Sequence, residues 1–349
     1  MQLKSAIINY IEKGKGDFNQ LALAAFHYQY THCQAYQHYC QQLKRYPDQI
    51  QNWQQIPAVT TDVFREFELC TYDPTQAQYI FRTSGTTQEK TGKHYYQDMT
   101  LYDTVIRHSF IKGLRLKEEE ACIFRILIPS FQPAKTSSLS YMLQQVVNWY
   151  GSVESKFYFD KDKNEIDYAM LFEDLTEDIN KQRKIVIIGT AFSFINLFEY
   201  TKTAWQLPKG STLMETGGLK GRVRETSRAE LYHLFKTRLG IKSDFCFSEY
   251  GMTELTSQFY SYPDSHIFLS PAWMPVRIIN PETNLDVKLG EMGLIQIFDL
   301  ANLEAISAIQ TSDLAIKHQQ GFELVGRSPT AQIRGCSTAF EITSSLNEN

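Results

Sequence analysis

Apolar residues recur at three- and four-residue spacing in the first part of the chain, which predicts helices over residues 1 to about 75. The clearest example is one predicted helix face made of Phe26, Tyr30, Cys33, Tyr36 and Cys40. Pro57 ends this pattern, and we expect an extended piece or a turn there because proline restricts the residue before it.

Beyond residue 79, short apolar runs alternate with amphipathic segments. Strands are predicted within 121–130, 184–190 and 210–218. Helices are predicted to begin near Asp98 or Thr100 and to lie within 137–151, 194–200 and 228–240. After residue 255 the pattern is mostly β, with strands predicted in 267–280, 290–300 and 305–317. This order predicts an α/β protein in which helices flank β-sheets and the C-terminal strands add a further sheet or a small barrel.

Composition narrows the class of protein. The chain has 349 residues, 43% of them hydrophobic, which suffices for a sizeable core, and its formal net charge of -4 predicts no affinity for nucleic acid or anionic membranes. No apolar run approaches the roughly 20 residues of a membrane span, and the N-terminus lacks the pattern of a signal peptide. Six scattered cysteines without CxxC pairs favour reduced thiols, so we expect a cytoplasmic protein.

The segment FRTSGTTQEKTGKHYY, residues 81–96, combines hydroxyls, glycines and cations in a turn-rich stretch. Backbone N–H groups and hydroxyls in such a turn form a concave donor surface that favours phosphate. The segment lacks the spacing of a P-loop, and GxGxxG and GxSxG are absent from the chain. Taken alone, the segment is more typical of an ordinary surface loop, because clusters of Ser, Thr and Gly are common in turns.

Three further segments favour the phosphate-binding interpretation over the surface loop. Together with residues 81–87 they give four motifs in the order found in one superfamily. Residues 81–87 (FRTSGTT) resemble the phosphate-binding motif [YF]TSGTTGxPKG of the adenylate-forming enzymes, although QEKTGK stands where TGxPKG would be. Residues 248–254 (SEYGMTE) match the YGxTE motif, residues 310–313 (QTSD) stand at the TGD motif, and Gly326, Arg327, Arg334 and Gly335 resemble GRxxxxxKxxG.

From about residue 25 to its end, the chain resembles the LuxE-type acyl-protein synthetase family. The resemblance implies the large-domain fold of the adenylate-forming enzymes, without a full C-terminal lid domain. It suggests a single acyl-adenylating domain over 1–349, with a helical segment (1–75), an adenylation core (76–325) and a short C-terminal segment (326–349).

The resemblance implies that ATP and a carboxylic acid, expected to be a fatty acid, form acyl-AMP and pyrophosphate, and that the acyl group then passes to a thiol. Glu254 would ligate Mg²⁺ and Thr253 would contact the α-phosphate. Asp313 would bind the ribose hydroxyls, and Arg327 the ribose or the α-phosphate. The other ATP-binding residues implied are Thr83, Ser84, Gly85, Thr86 and Thr87 at the phosphates, with help from Lys90 and Lys93, and Gly217, Gly218, Tyr250 and Gly251 near the base.

Cys336 stands where the family carries its acyl-accepting cysteine, so the resemblance implies a thioester there and a partner acyl acceptor, either a reductase or an acyl carrier protein. Larger adenylating enzymes use a lysine of their C-terminal domain, but no lysine follows Arg327. Lys93, Arg222, Arg224 or a partner could supply that charge.

The sequence leaves three hypotheses for the function of the protein. The first is the acyl-protein synthetase. The second is a ligase that transfers directly from acyl-AMP to coenzyme A or to an acyl carrier protein, with Cys336 as a bystander. The third is a non-catalytic nucleotide-binding scaffold. For single residues, Tyr250 could be a core tyrosine, Glu254 a carboxylate at a helix N-terminus, and Gly217 and Gly218 a tight turn.

Overall fold

A computed structural model describes residues 2–83, 90–132, 137–160, 163–217, 227–263 and 265–328 of the chain. The α-helices are α1 Gln2–Lys13, α2 Phe18–His32, α3 Gln34–Gln42, α4 Val63–Glu66, α5 Thr100–Gly113, α6 Ser138–Tyr150, α7 Tyr168–Asn180, α8 Ala191–Tyr200 and α9 Arg228–Leu239. The strands of the first half are β1 Val59–Thr60, β2 Tyr79–Arg82, β3 Lys93–Tyr96, β4 Ile123–Ile126, β5 Lys156–Phe157, β6 Phe159–Asp160, β7 Glu165–Ile166 and β8 Ile185–Thr190. Those of the second half are β9 Thr212–Thr216, β10 Cys246–Tyr250, β11 Phe259–Ser261, β12 Ile267–Leu269, β13 Val276–Ile279, β14 Met292–Phe298, β15 Ala308–His318 and β16 Gly321–Arg327.

One long mixed sheet organises the molecule. Its parallel half has the order β5-β4-β8-β9-β10, and its antiparallel half continues from β10 through β11-β12-β16-β15-β14-β13. The short strand β1 pairs with β15. The predicted α/β fold is confirmed, but the C-terminal strands do not form a separate sheet or barrel, because β11 hydrogen-bonds directly to the last parallel strand.

The parallel strands separate two hydrophobic cores. Alternate residues of each strand face opposite sides, so Val186 and Ile188 of β8 pack into one core while Ile185 and Ile187 pack into the other. The first core is covered by α1–α3, α5 and α6, and the second by α7, α8 and α9. The predicted helix of 228–240 is α9, which a capping box begins at Ser227 and left-handed Gly240 ends.

The predicted single helix face around Cys33 is wrong in one respect. Cys33 has an extended backbone, and it separates α2 from α3. Phe26, Cys33, Tyr36 and Cys40 are nevertheless all buried. The apolar spacing correctly predicts that these residues are buried, but it cannot predict a single extended residue between two helices.

Candidate functional site

Gly217 and Gly251, two residues predicted to lie near the base of ATP, stand where two parallel strands end. Gly217 follows β9 and Gly251 follows β10, and Thr216 pairs with Glu249, so both strands end at the same level of the sheet. Gly217 has φ 82°, a conformation that favours glycine, and a Cβ there would meet no atom of the described residues within 4 Å. A Cβ on Gly251 would lie 2.5 Å from Oε1 of Glu249. Ligands of open α/β sheets bind at this carboxyl edge, so the position suits a binding site.

Three predicted residues meet across the antiparallel half of the sheet. The Tyr250 hydroxyl donates to Oδ2 of Asp313 at 2.8 Å, and Nε of Arg327 lies 3.5 Å from Oδ1 of the same carboxylate. Asp313 and Arg327 are register partners on β15 and β16. The Arg327 side chain is 80% exposed and that of Asp313 is 15% exposed, so the group reaches the protein surface through Arg327.

The ring of Tyr250 is also part of the core. It packs against Phe259, Phe268 and Phe322, with centroids 5.7–5.9 Å away. Burial and the neighbouring Asp313 carboxylate raise the pKa of Tyr250, so the hydroxyl keeps its proton and acts as a donor. The interpretation of Tyr250 as a core tyrosine is therefore correct for its ring. Its hydroxyl, however, points to Asp313, the residue predicted to bind the ribose.

Hydrogen bonds from two sides hold the backbone that carries Thr253 and Glu254. Nδ1 of His94 lies 2.8 Å from the carbonyl oxygen of Thr253, and the Thr253 hydroxyl lies 3.4 Å from the carbonyl oxygen of Arg82. On the other side, Nδ2 of Asn302 donates to the carbonyl oxygen of Glu254 at 2.8 Å. Residues 251–257 form turns and loop, so Glu254 does not stand at a helix N-terminus and that alternative is wrong.

Glu254 is a buried acid, 7% exposed. Burial raises the pKa of its carboxyl group to about 7, which the charges of Arg65 and Arg327 oppose and that of Asp62 reinforces. Within the described ranges, no lysine, arginine or histidine forms a salt bridge with it, and no group of three or more possible metal-ligating side chains occurs. A divalent cation fits this carboxylate, because Mg²⁺ prefers oxygen ligands and commonly takes one or two carboxylates, with phosphates and water completing its shell.

The predicted phosphate-binding segment is described only at its ends. Thr83 and Gly92 face each other, with Thr83 N–H donating to Gly92 O at 3.0 Å and Gly92 N–H to Thr83 Oγ1 at 2.9 Å. Lys90 pairs with Glu66 at 2.9 Å. Lys93 neighbours His94 on β3, so their side chains point to opposite faces and Lys93 points away from Thr253. Ser84, Gly85, Thr86, Thr87, Gly218, Arg222, Arg224 and Cys336 lie outside the described residues.

Sequence reasoning assigned no role to the residues that support the site. Burial lowers the pKa of His94 to about 4, so its ring is neutral at pH 7 and donates its Nδ1 proton to Thr253. Gln29 of α2 donates to the Asn302 carbonyl at 2.9 Å and so connects the N-terminal helices to the Glu254 loop. Sequence spacing could not reveal these links, because 273 positions separate Gln29 from Asn302 and 159 separate His94 from Thr253.

A polar groove of about 650 Å³ lies elsewhere, along α1 and the start of α5, and includes Glu12, Asp103 and Arg107. None of the predicted site residues lines it. Among the described residues, no helix has the length and apolar character needed to cross a membrane.

Solved structures that resemble this chain show which class of protein the fold defines. A 2-hydroxyisobutyryl-CoA ligase in complex with 2-HIB-AMP matches with a TM-score of 0.67 at 13% identity, covering 88% of this chain and 67% of that chain. A fatty acyl-adenylate ligase from L. pneumophila, in complex with acyl adenylate and pyrophosphate, matches with a TM-score of 0.50 at 15% identity. That match covers 77% of this chain and 53% of the ligase, about half its length. The fold is that of the adenylate-forming ligases.

Sequence comparison gives the family. A family model described as acyl-protein synthetase, LuxE, matches residues 5–344. The long-chain-fatty-acid–luciferin-component ligase of Aliivibrio fischeri is 24% identical over 348 residues, covering 94% of this chain and 89% of that protein. The ligase of the same name from Photorhabdus luminescens is 40% identical over 67 residues, covering 19% of this chain and 57% of that protein. The chain belongs to the LuxE acyl-protein synthetase family, as its motifs indicated.

Proposed function

We propose that this protein activates a fatty acid with ATP, releases pyrophosphate, and passes the acyl group from acyl-AMP to the thiol of Cys336 and then to a partner protein. The observation that carries the proposal is the convergence of Tyr250, Asp313 and Arg327 at the carboxyl edge of the parallel strands, beside the turn that carries the buried Glu254. Such a convergence, in a chain of the acyl-protein synthetase family, supports adenylation over a non-catalytic scaffold.

The nucleotide would lie over the ends of β9 and β10. The open space beside Gly217 suits the base, because a side chain there would occupy the same volume. Asp313 accepts one hydrogen bond from Tyr250 and keeps lone pairs for the ribose hydroxyls. Arg327, which is largely exposed beside Asp313, can reach the ribose or the α-phosphate. Tyr250 orients the carboxylate by its hydroxyl, and its ring completes the floor of the pocket.

Adenylation requires charge compensation as pyrophosphate leaves. Mg²⁺, when bound, neutralises part of the phosphate charge and orients the leaving group. In this chain Glu254 would hold the ion, since a buried carboxyl group with a pKa near 7 gains from a neighbouring cation. His94 and Asn302 fix the backbone on either side, so the carboxylate is positioned before the nucleotide binds.

The second half-reaction needs a thiolate. The Cys336 sulfur attacks the acyl carbonyl carbon of acyl-AMP, the bond to the phosphate oxygen breaks, and AMP leaves, so the product is a thioester. The five described cysteines are poorly suited to this step. Burial raises the pKa of Cys33 and Cys122, that of Cys70 to about 11, and those of Cys40 and Cys246 to about 12.

The acid and the acceptor are the most specific parts of the proposal. The names of the A. fischeri and P. luminescens relatives refer to a long-chain fatty acid and a luciferin component, which supports a fatty acid here. The family description, acyl-protein synthetase, supports a protein acceptor. A reductase or an acyl carrier protein would receive the acyl group. The cysteine usage supports a reducing compartment, the cytoplasm.

The test is ATP–pyrophosphate exchange with a panel of fatty acids of different length, in the presence of Mg²⁺. Acid-dependent exchange, followed by a hydroxylamine-sensitive acyl adduct detected by mass spectrometry, is the expected result. Exchange without an adduct, together with rapid acylation of coenzyme A or pantetheine, would favour the direct ligase. No exchange with any acid would favour the scaffold.

A further inference from the structure

Arg65 lies beside the two described ends of the phosphate-binding segment. It belongs to α4, which packs against β3. A Cβ built on Gly92 would lie 3.6 Å from Cγ of Arg65 and 3.1 Å from Cγ2 of Thr83. The arginine stem therefore runs along the base of this segment, where Thr83 and Gly92 hydrogen-bond to each other.

Arg65 also lies on the side of the β2–β3 hairpin that faces Glu254. Residues 92 and 94 share one face of the hairpin, and His94 on that face bonds the carbonyl oxygen of Thr253. Phe64, the neighbour of Arg65, packs against the His94 ring with centroids 6.1 Å apart. Arg65 therefore lies on the same side of the hairpin as the backbone that carries Thr253 and Glu254.

Among the described residues, few partners occupy the guanidinium group of Arg65, so it keeps donors for a ligand. The Arg65 side chain is 41% exposed. Its salt bridge to Asp62, three residues earlier, is long at 3.8 Å. The two lysines of the segment are less suited. Lys90 is paired with Glu66 at 2.9 Å, and Lys93 points to the other face of the hairpin.

We propose that Arg65 binds the β- and γ-phosphates of ATP and stabilises the pyrophosphate that leaves during adenylation. Arg327 would act at the ribose end of the nucleotide and Arg65 at its phosphate end. A guanidinium suits this task because its planar fork of N–H donors matches phosphate oxygens in pairs. The inference rests on the proposed function, and neither the sequence motifs nor the family match assigns Arg65 a role.

The experiment measures the affinity of the purified protein for Mg-ATP and for AMP by calorimetry. Arg65→Ala is expected to weaken ATP binding by roughly 10- to 100-fold, because charge-assisted bonds to phosphate are lost, and to leave AMP binding unchanged because AMP lacks the β- and γ-phosphates. Arg65→Lys should recover part of the loss. Arg45→Ala, which removes an exposed arginine after α3, is the matched control and should change neither affinity.

The outcomes separate this inference from the proposed function. An equal loss of ATP and AMP affinity in Arg65→Ala, or no loss of either, would overturn the inference even if the wild type exchanges pyrophosphate. A wild type that binds ATP with the expected Arg65 dependence but exchanges pyrophosphate with no acid would overturn the function alone. A wild type that binds no ATP would overturn both. Acyl transfer from synthetic acyl-AMP should be unaffected by Arg65→Ala, since that step involves no pyrophosphate.

Discussion

The hydroxyl of Tyr250 donates a 2.8 Å hydrogen bond to Oδ2 of Asp313, and it joins the end of a parallel strand to the antiparallel half of the sheet. Two sequence motifs 63 positions apart thus share one carboxylate. Because Arg327 lies beside the other oxygen of Asp313, the carboxylate is held in place from two sides. A preoriented acceptor of this kind favours the paired hydroxyls of a ribose.

Asp313→Ala should weaken ATP binding far more than acid binding. The two hydrogen bonds expected to a charged acceptor predict that KM for ATP rises roughly 10- to 100-fold. Steady-state pyrophosphate exchange, with ATP and the fatty acid varied in turn, measures both constants. A rise in KM for the acid with an unchanged KM for ATP would move Asp313 to the acyl pocket.

Tyr250→Phe tests whether the hydroxyl acts through Asp313. The ring contacts with Phe259, Phe268 and Phe322 stay, so the melting temperature should change little while KM for ATP rises by less than in Asp313→Ala. In the double variant Tyr250→Phe/Asp313→Ala, the two effects should not add, because the hydroxyl has no carboxylate left to orient. Full additivity would mean that Tyr250 contacts the nucleotide independently.

Glu254→Ala should abolish most pyrophosphate exchange and leave the fold intact. Loss of the proposed Mg²⁺ ligand removes several kcal/mol of transition-state stabilisation, so the exchange rate is expected to fall by at least roughly a hundredfold. Glu254→Asp, a shorter carboxylate, should retain part of the activity. Near wild-type exchange by Glu254→Ala, at low and high Mg²⁺ concentration alike, would rule out the metal assignment.

The ligand-free protein should lose stability as the pH rises from about 4 to 8. Burial raises the pKa of Glu254 and Glu249 to about 7 and that of Asp299 to about 6, so the folded state holds protons that the unfolded chain releases near pH 4. Each group therefore contributes stability below its unfolded pKa that is lost as the pH passes its folded pKa.

For Glu254 alone, this loss is on the order of 3 kcal/mol. Glu254→Gln should therefore raise the melting temperature of the ligand-free protein at pH 8 and change it little at pH 4. Thermal unfolding followed by circular dichroism at both pH values measures the difference. An equal shift at both pH values would show that the change is one of packing and not of charge.

Cys336→Ser separates the two enzymatic readings. Serine keeps the size of the side chain but has a pKa far above neutral, so adenylation should continue and the thioester should not form. Hydroxylamine-sensitive labelling by a radioactive fatty acid, and mass spectrometry of the tryptic peptides, report the adduct. Single replacements of the other five cysteines are the controls and should retain the label. A label on another cysteine, or efficient acylation of an external thiol without any label, would favour direct transfer.

Breaking the buried ion pair between Arg125 and Asp178 should destabilise the protein strongly. Arg125, 1% exposed, binds Asp178 through Nε and Nη2 at 2.8 and 2.9 Å, and Arg183 lies 2.8 Å from the same carboxylate. Asp178→Ala leaves the Arg125 charge buried without its carboxylate partner, although the Glu154 carbonyl still accepts from Nη1, so we expect a loss of roughly 3–5 kcal/mol in urea unfolding. Glu120→Ala, which breaks the exposed pair with Lys117, should have little effect.

The sequence alone predicted the elements whose burial follows local periodicity. The strand at 185–190, the helix that Gly240 ends, and the start of α5 at Thr100 all lie where apolar spacing and end signals indicated. The same reasoning missed the break at Cys33, because Cys33 is buried like Phe26, Tyr36 and Cys40 and only its backbone differs. It also predicted a further sheet or barrel for the C-terminal strands, which in fact pair with the main sheet. Local spacing could not predict this, since strand pairing depends on partners far along the chain.

For the site, the order of the motifs already determined the chemistry expected, because nucleotide, Mg²⁺ and thiol each demand a recognisable residue type. What only the tertiary structure decided is which of those residues meet. It brought Tyr250 to Asp313 and Arg65 to Gly92, and it turned Lys93 to the other face of the hairpin. Hydrogen bonds from His94 and Asn302 hold the Glu254 loop across the sheet. These contacts follow from strand order, register and the two faces of a hairpin, which no local pattern encodes.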